Sequence, residues 1–551
     1  MPKIPPVFTP QTRIVLIVAL FFMVTGNLRL FGRLLEVYPL TLANAPFLIS
    51  LALFFTVGTL LFLVLVTPGR AGRWILALLL VAGAQVAYYM DHFSVMIDTV
   101  MIDNIFATDV HEATGLMSWS LAWRTVVFGL IPAGLVWRYW PKTESLRREF
   151  FARLKLALGL IIVLTLIAAP FAGSYASFIR NQKMVRKYAN PTFFVFSFFE
   201  YLGQKIDLSH IGPLTPTAPD AHLLNPDRKK QLIIVVVGET ARADRFSLNG
   251  YARPTNPLLE KEEDVVSMTD ATSCGTSTGY SVPCMFSALG RKHFGIKKAA
   301  QMENALDVLA RLGVQILWRD NNSDSKGVAT RLPYQNFKTP TLNPMCTNYE
   351  CRDMGMLNKL DDYVASKKGK DILIVLHQRG NHGPEYYLRY PQEFERFTPT
   401  CQSRDLKTCS REEVDNAYDN AILYTDYFLS EVIQFLKKYS DEYGTAMLFV
   451  SDHGESLGEN GVYLHAAPYE TAPREQTHVP AIIWTGPNFG YSADQLKPYR
   501  DTPVSQDDMF CALLAGFEVG TKICEGPRNI LPENLDLQRA GIAPKVAPDG
   551  Q

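Results

Sequence analysis

The sequence predicts a chain in two structural halves, an N-terminal bundle of five transmembrane helices and a C-terminal α/β domain with a mainly parallel sheet. Three observations predict this fold class. Every apolar run long enough to cross a bilayer falls in the first third. Short β-branched runs alternate with helical patterns from Gln231 onward, and all 8 cysteines lie in that second half. The 54 basic and 54 acidic residues cancel, so the charge balance points to neither nucleic acid nor a strongly anionic partner.

Crossing the hydrocarbon takes about 20 predominantly apolar helical residues. The qualifying stretches are Ile14–Leu34, Ala45–Val66, Trp74–Met90, Leu121–Trp137 and Leu156–Gly173. The first is the most polar, with Asn27, Arg29 and Arg33 near its far end. It is too long, and lacks the small-residue cleavage site, to be a removed signal peptide. Basic residues in short loops set the orientation. Arg70 and Arg73 mark one loop as cytoplasmic, and Arg138, Lys142, Arg147, Arg148, Arg153 and Lys155 mark another. The loop Asp91–Ser118 has acidic residues but no Lys or Arg and belongs outside. Five crossings from an inside N-terminus then put everything after Gly173 outside.

The expected organisation is residues 1–173 in the membrane, a connector over 174–230, and a catalytic domain over 231–551. Within the connector, Asn190–Lys205 carries an aromatic run that suits either the membrane interface or packing against the soluble domain. His210–Asp227, with its prolines, reads as a linker. In the second half, Leu232–Val237, Val314–Trp318, Asp371–Leu376, Met447–Val450 and Ala481–Trp484 are continuous apolar runs, as expected of strands buried on both faces. Asn304–Leu312 and Asn416–Lys438 are helical candidates between them.

Cysteines in an outside domain imply disulfides. Pairing sequence neighbours closes short local loops: Cys274 with Cys284, Cys346 with Cys351, Cys401 with Cys409, and Cys511 with Cys524. No C-x2-C spacing supports a zinc ribbon.

Ligands of open α/β sheets bind beyond the carboxyl ends of the strands. Glu239, the Asp452-His453 pair, His377 with His382, and Asn321, Asn322 and Lys326 all follow strand candidates there. A carboxylate, an Asp-His pair and further histidines form a donor set suited to zinc. Ser273–Cys284 adds a hydroxyl-rich loop entering a helix, where backbone N–H groups favour a phosphate. Thr276 and Thr278 both precede that helix, and metal coordination would activate such a hydroxyl.

These strings resemble a known family. Val237–Asp244, Cys274–Cys284, Arg319–Gly327, His377–Pro384 and Ser451–Gly461 are similar to segments of lipid A phosphoethanolamine transferases. These are the EptA type and the mobile colistin-resistance enzymes, which share the alkaline phosphatase and sulfatase fold. The resemblance implies Thr278 as nucleophile, with Glu239, Thr278, Asp452 and His453 as ligands of one tight zinc. It puts His382 and His465 beside the metal, on the phosphoethanolamine group or a second, weaker zinc. It turns Asn322 and Lys326 toward a phosphate, and assigns Asn104, Thr108 and Glu112 to the ethanolamine head group. Gly279 departs from the Ala common in relatives and puts no role in doubt.

The implied reaction moves phosphoethanolamine from phosphatidylethanolamine to lipid A through a phosphothreonine-type intermediate and confers polymyxin resistance. The implied setting is a monomer among inner-membrane lipids, with its catalytic domain in the periplasm. The competing readings are transfer of phosphoethanolamine or phosphoglycerol to another envelope acceptor, such as a core sugar, and a non-catalytic assembly factor.

Overall fold

A computed structural model describes residues 9–107, 117–142, 145–208, 214–347 and 350–525. The chain divides into two compact units, the first made of Met1–Asp103 with Met117–Gly203 and the second dominated by Gln204–Gln551.

In the first unit the main helices are α1 (Pro10–Thr25), α2 (Leu28–Val37), α3 (Ala45–Val66), α4 (Gly72–Phe93), α5 (Thr99–Ala107), α6 (Trp119–Tyr139), α7 (Leu146–Ala168), α8 (Ala172–Asn181) and α9 (Thr192–Leu208). Four helical stretches are long and apolar enough to cross a membrane: Ala45–Val66, Gly72–Phe93, Trp119–Tyr139 and Arg147–Arg180. The expected first span is broken. α1 and α2 meet at 57°, and make a fifth crossing only as a bent pair.

The break has a local cause. Backbone groups freed from a helix within hydrocarbon need partners from the protein. Asn27 donates to the carbonyls of Phe22 (2.9 Å) and Asn190 (2.7 Å) and accepts from the Asn190 N–H (2.9 Å). The Asn190 amide donates in turn to the Gly26 and Gly83 carbonyls at 3.1 and 2.9 Å. A Cβ at Gly83 would sit 2.5 Å from the Phe22 ring, so only glycine lets these segments approach. The aromatic run forms α9, which packs on the membrane unit. Phe194, Phe198 and Tyr201 join its apolar core, while Phe196 and Phe199 stay exposed.

The second unit is built on an eight-stranded sheet. Its strands are β1 (Gln231–Gly238), β2 (Val265–Thr272), β3 (Gln315–Asp320), β4 (Tyr334–Asn336), β5 (Ile372–His377), β6 (Gly444–Ser451), β7 (His478–Thr485) and β8 (Val504–Ser505). Their order across the sheet is β8-β2-β7-β6-β1-β5-β3-β4. All five expected strands are present, and every pairing is parallel except those of β7 with β2 and β6. Ile233, Val235 and Val237 of β1 face one core and Leu232, Ile234 and Val236 the other, which is why the run has no polar alternation. The helices include α10 (Thr278–Met285), α11 (Ala305–Arg311), α12 (Arg411–Lys437) and α13 (Met509–Gly516). α12 begins with a capping box between Ser410 and Glu413 and buries its apolar face in the second core. The four neighbour-paired disulfides are all formed.

Candidate active site

Strand register brings the site together. Val237 of β1 pairs with His377 of β5 and Val450 of β6, and Asp320 of β3 pairs with His377, so these carboxyl ends finish level. The residues just past them, Glu239, Asn322, Asp452 and His453, emerge along one edge.

Glu239, Asp452 and His453 are fully buried, and one donor atom from each lies within 4.8 Å of the others. His453 Nε2 is 3.3 Å from Asp452 Oδ2 and 3.8 Å from Glu239 Oε1. The other ring nitrogen, Nδ1, is 2.9 Å from the Gly454 carbonyl, so it carries the proton and Nε2 offers a lone pair to the cluster. Glu239 Oε1 and Asp452 Oδ2 have no hydrogen-bond partner among the described residues. Buried anionic oxygens facing a bare nitrogen lone pair repel one another and need a cation between them. The donor set fits zinc.

Thr278 opens α10, and its Oγ1 lies 3.2 Å from Glu239 Oε2 and 3.4 Å from His453 Nε2. The Cys274–Cys284 bridge spans this turn. Burial, reinforced by Asp452, pushes the Glu239 carboxyl up to about 7, and burial lifts Asp452 to about 6. His453 is driven well below the ordinary histidine value by burial and by His465.

Several contacts aim these groups. Asp452 Oδ1 accepts the N–H groups of Thr240 (3.1 Å) and His453 (2.7 Å). Asn322 Nδ2 donates to Glu239 Oε2 at 2.6 Å and to the Gln378 carbonyl at 2.7 Å, so it touches the carboxylate directly. Gly380, at φ +50°, passes Glu239 so closely that a Cβ would meet its carbonyl oxygen at 2.9 Å. His377 is buried with Nδ1 2.9 Å from Asp320, which also accepts the Trp318 indole N–H; this pair braces the sheet edge.

The His465 ring centroid lies 4.4 Å from that of His453 and 5.8 Å from that of His382. Burial opposes its charge, but Glu455, Glu239 and Asp452 outweigh burial and lift it to about 9. Lys326 is half-buried in a left-handed turn, and its side chain takes no part in the hydrogen bonds of the cluster. Asn104 falls in α5, while Thr108 and Glu112 lie outside the described residues.

Two residues escape the sequence reading. Glu455 is fully buried, with both oxygens 3.4 Å from His465 Nδ1. It stands two places after His453, so the acidic string itself is the missed signal. Gln506 accepts the Cys274 N–H at 2.7 Å and donates to the Ser451 and Asp452 carbonyls at 2.7 and 2.8 Å. It thereby ties the Thr278 loop to the metal-facing loop, and nothing in its local sequence marks it.

Both halves of the chain resemble known proteins. The Sulfatase family matches residues 231–519, and the Phosphoethanolamine transferase EptA/EptB family matches residues 54–206. The chain is 42% identical to the phosphatidylethanolamine transferase Mcr-1 of Escherichia coli, over 91% of this chain and 94% of that one. It is 37% identical to the phosphoethanolamine transferase EptA of Escherichia coli K12, over 94% and 95%. The integral membrane lipooligosaccharide phosphoethanolamine transferase A of Neisseria meningitidis superposes with a TM-score of 0.88 at 32% identity, covering 95% of this chain and 98% of that one. With membrane-spanning helices, a sulfatase-type sheet and nearly full-length likeness to these enzymes, the chain belongs to the phosphoethanolamine transferases of the EptA and Mcr type, enzymes of the bacterial inner membrane.

Proposed function

We propose that this enzyme transfers phosphoethanolamine from phosphatidylethanolamine to a phosphate of lipid A through a covalent intermediate on Thr278, with zinc as cofactor. The observation that carries the reading is the Thr278 hydroxyl at a helix N-terminus, 3.2 Å from Glu239 and 3.4 Å from His453. Mcr-1 is a phosphatidylethanolamine transferase and the Neisseria enzyme a lipooligosaccharide phosphoethanolamine transferase, and this likeness supports the donor and the acceptor.

Glu239, Asp452, His453 and Thr278 would hold the tight zinc. When bound, it supplies Lewis acidity that favours the ionised hydroxyl and offsets charge on the phosphoryl oxygens. The remaining steps belong to the chain's own groups. Thr278 Oγ1, its proton released to water, forms a bond to phosphorus, and the bond from phosphorus to the diacylglycerol oxygen breaks. His465, protonated beside Glu455, gives its proton to that oxygen and diacylglycerol leaves. An oxygen of a lipid A phosphate then attacks the same phosphorus, the bond from phosphorus to Thr278 Oγ1 breaks to restore the ionised hydroxyl, and His465 regains a proton from water, giving ping-pong kinetics. Asn322 keeps Glu239 aimed. Lys326 faces the incoming phosphate, and His382 with His465 contacts the transferred group or holds a second, weaker zinc. Asn104, Thr108 and Glu112 receive the ethanolamine amine. The enzyme works as a monomer, and the added amine lowers the negative charge of lipid A and with it polymyxin binding.

The test is turnover of a fluorescent phosphatidylethanolamine by full-length protein in detergent, with and without lipid A. Diacylglycerol release that requires Thr278 and zinc, with the added mass on lipid A, is expected. Release without lipid A modification moves the acceptor to another envelope molecule such as a core sugar. No release from folded, zinc-loaded protein overturns the donor.

A further inference from the structure

The membrane unit carries an aromatic groove of its own. It has a volume of about 440 Å³ and is walled by Phe54 and Phe55 of α3, Tyr175 and Phe178 of α8, and Phe196 of α9, with Arg186 also on its lining. That volume falls within the range of roughly 300–1,000 Å³ usual for small-molecule sites, far more than a packing defect. Its walls are braced: the Phe54 and Tyr175 rings lie 5.1 Å apart, and those of Phe55 and Phe178 lie 6.4 Å apart.

Depth and charge identify the occupant. The loop holding Arg70 and Arg73 is cytoplasmic, so α3 enters from the outer face. Phe54 lies about 14 Å along its axis from Ala45 at 1.5 Å per residue. The groove therefore runs from the outer interface toward the bilayer centre, the depth occupied by an acyl chain of the outer leaflet. Arg186, on its lining, is exposed and makes no ion pair among the described residues, and neither does the exposed Arg180. The stretch Arg180–Lys187 contains no acidic residue.

An acyl chain gains nothing hydrophobic by leaving lipid for protein, because the two surroundings are equally apolar. Selective occupancy must come from the head group: a guanidinium pairs two oxygens of a phosphate, and the positive charge of Arg180 and Arg186 disfavours a head group that carries its own ammonium. We propose that this groove is a binding site for an anionic glycerophospholipid of the outer leaflet, with one acyl chain between the aromatic walls and its phosphate on Arg186. The site selects lipids by charge.

The experiment uses full-length protein in vesicles of phosphatidylethanolamine containing a minor fraction of phosphatidylglycerol with a photoreactive acyl chain. Adducts are mapped by mass spectrometry. Labelling concentrated on the peptides of Phe54, Phe55, Phe178 and Phe196 is expected, displaced by unlabelled phosphatidylglycerol but not by added phosphatidylethanolamine. Arg186→Gln should cut groove labelling about tenfold, the loss of one charge-assisted pair, while the exposed Leu78 on α4 labels as before. Arg186→Lys, which keeps the charge but not the two-oxygen fork, should lose less labelling than Arg186→Gln and confirm that folding is intact. Adducts spread evenly over the lipid-facing residues overturn the proposal. So does equal displacement by phosphatidylethanolamine, or groove labelling that Arg186→Gln leaves unchanged.

Discussion

Asn322→Ala tests whether the metal cluster depends on a neighbour that does not itself reach the metal. In the native site both hydrogens of the Asn322 amide are used, at 2.6 Å to Glu239 Oε2 and 2.7 Å to the Gln378 carbonyl. The substitution leaves Glu239 Oε2 with only the 3.2 Å bond from Thr278. A hydrogen bond to a charged group is worth about 1.5–3 kcal/mol, and each 1.4 kcal/mol is roughly tenfold in an equilibrium. If that energy serves to hold the carboxylate in its binding pose, zinc affinity should fall roughly 10–100-fold, the usual penalty for losing an outer-shell partner. The freed carboxylate also holds its proton more tightly, so protons compete better with the metal. The assay is competitive titration of full-length protein with a chromophoric zinc chelator, followed by turnover at saturating zinc. Weakened affinity with turnover largely restored by excess zinc is expected. An affinity within twofold of wild type would refute the argument that Asn322 acts through Glu239.

In the metal-free protein Glu239 sits at about 7 and Asp452 at about 6, so zinc must displace protons at neutral pH and below. Apparent zinc affinity should decline as pH falls from about 7 to 5, by up to about tenfold per unit for each carboxylate; a flat titration series contradicts this. Glu455→Gln removes the carboxylate that holds His465 charged, so in metal-free protein the imidazole should move from about 9 toward the ordinary histidine range. Nitrogen-15 NMR of the ring would show this, and an unmoved titration would separate the two residues. Gln506→Leu strips three buried bonds between the Thr278 loop and the metal-facing loop, and should destabilise the protein by about 2–4 kcal/mol in thermal unfolding. A loss below about 1 kcal/mol would mean that the loops hold without it.

The sheet was legible where burial on both faces produced unbroken apolar runs, as in Leu232–Val237 and Asp371–Leu376. β2 was not. Its Val-Val-Ser-Met-Thr-Asp-Ala-Thr sequence mixes polar and apolar residues because four of its eight positions are only half-buried. The reversed direction of β7 was also hidden, since a buried strand looks the same whichever way it runs. Strand-end polar groups such as Glu239 and Asp452 were visible because a sheet edge concentrates them in the sequence just after each apolar run. Gln506 was invisible because its bonds reach residues more than fifty places away. Asn27 was readable as a polar intruder in the first span, but not as one half of a pair, because Asn190 is 163 residues distant.

That pair has a consequence for biogenesis. At roughly 5–20 residues per second, a ribosome makes Asn190 about 8–33 s after Asn27. Until then the carbonyl of Gly26, which depends on the Asn190 amide, has no lasting partner within the membrane. The first segment to enter the bilayer is therefore the last to be secured. A nascent chain stopped before Asn190 would leave its opening span unlatched, exposed to the quality-control proteases that patrol the membrane.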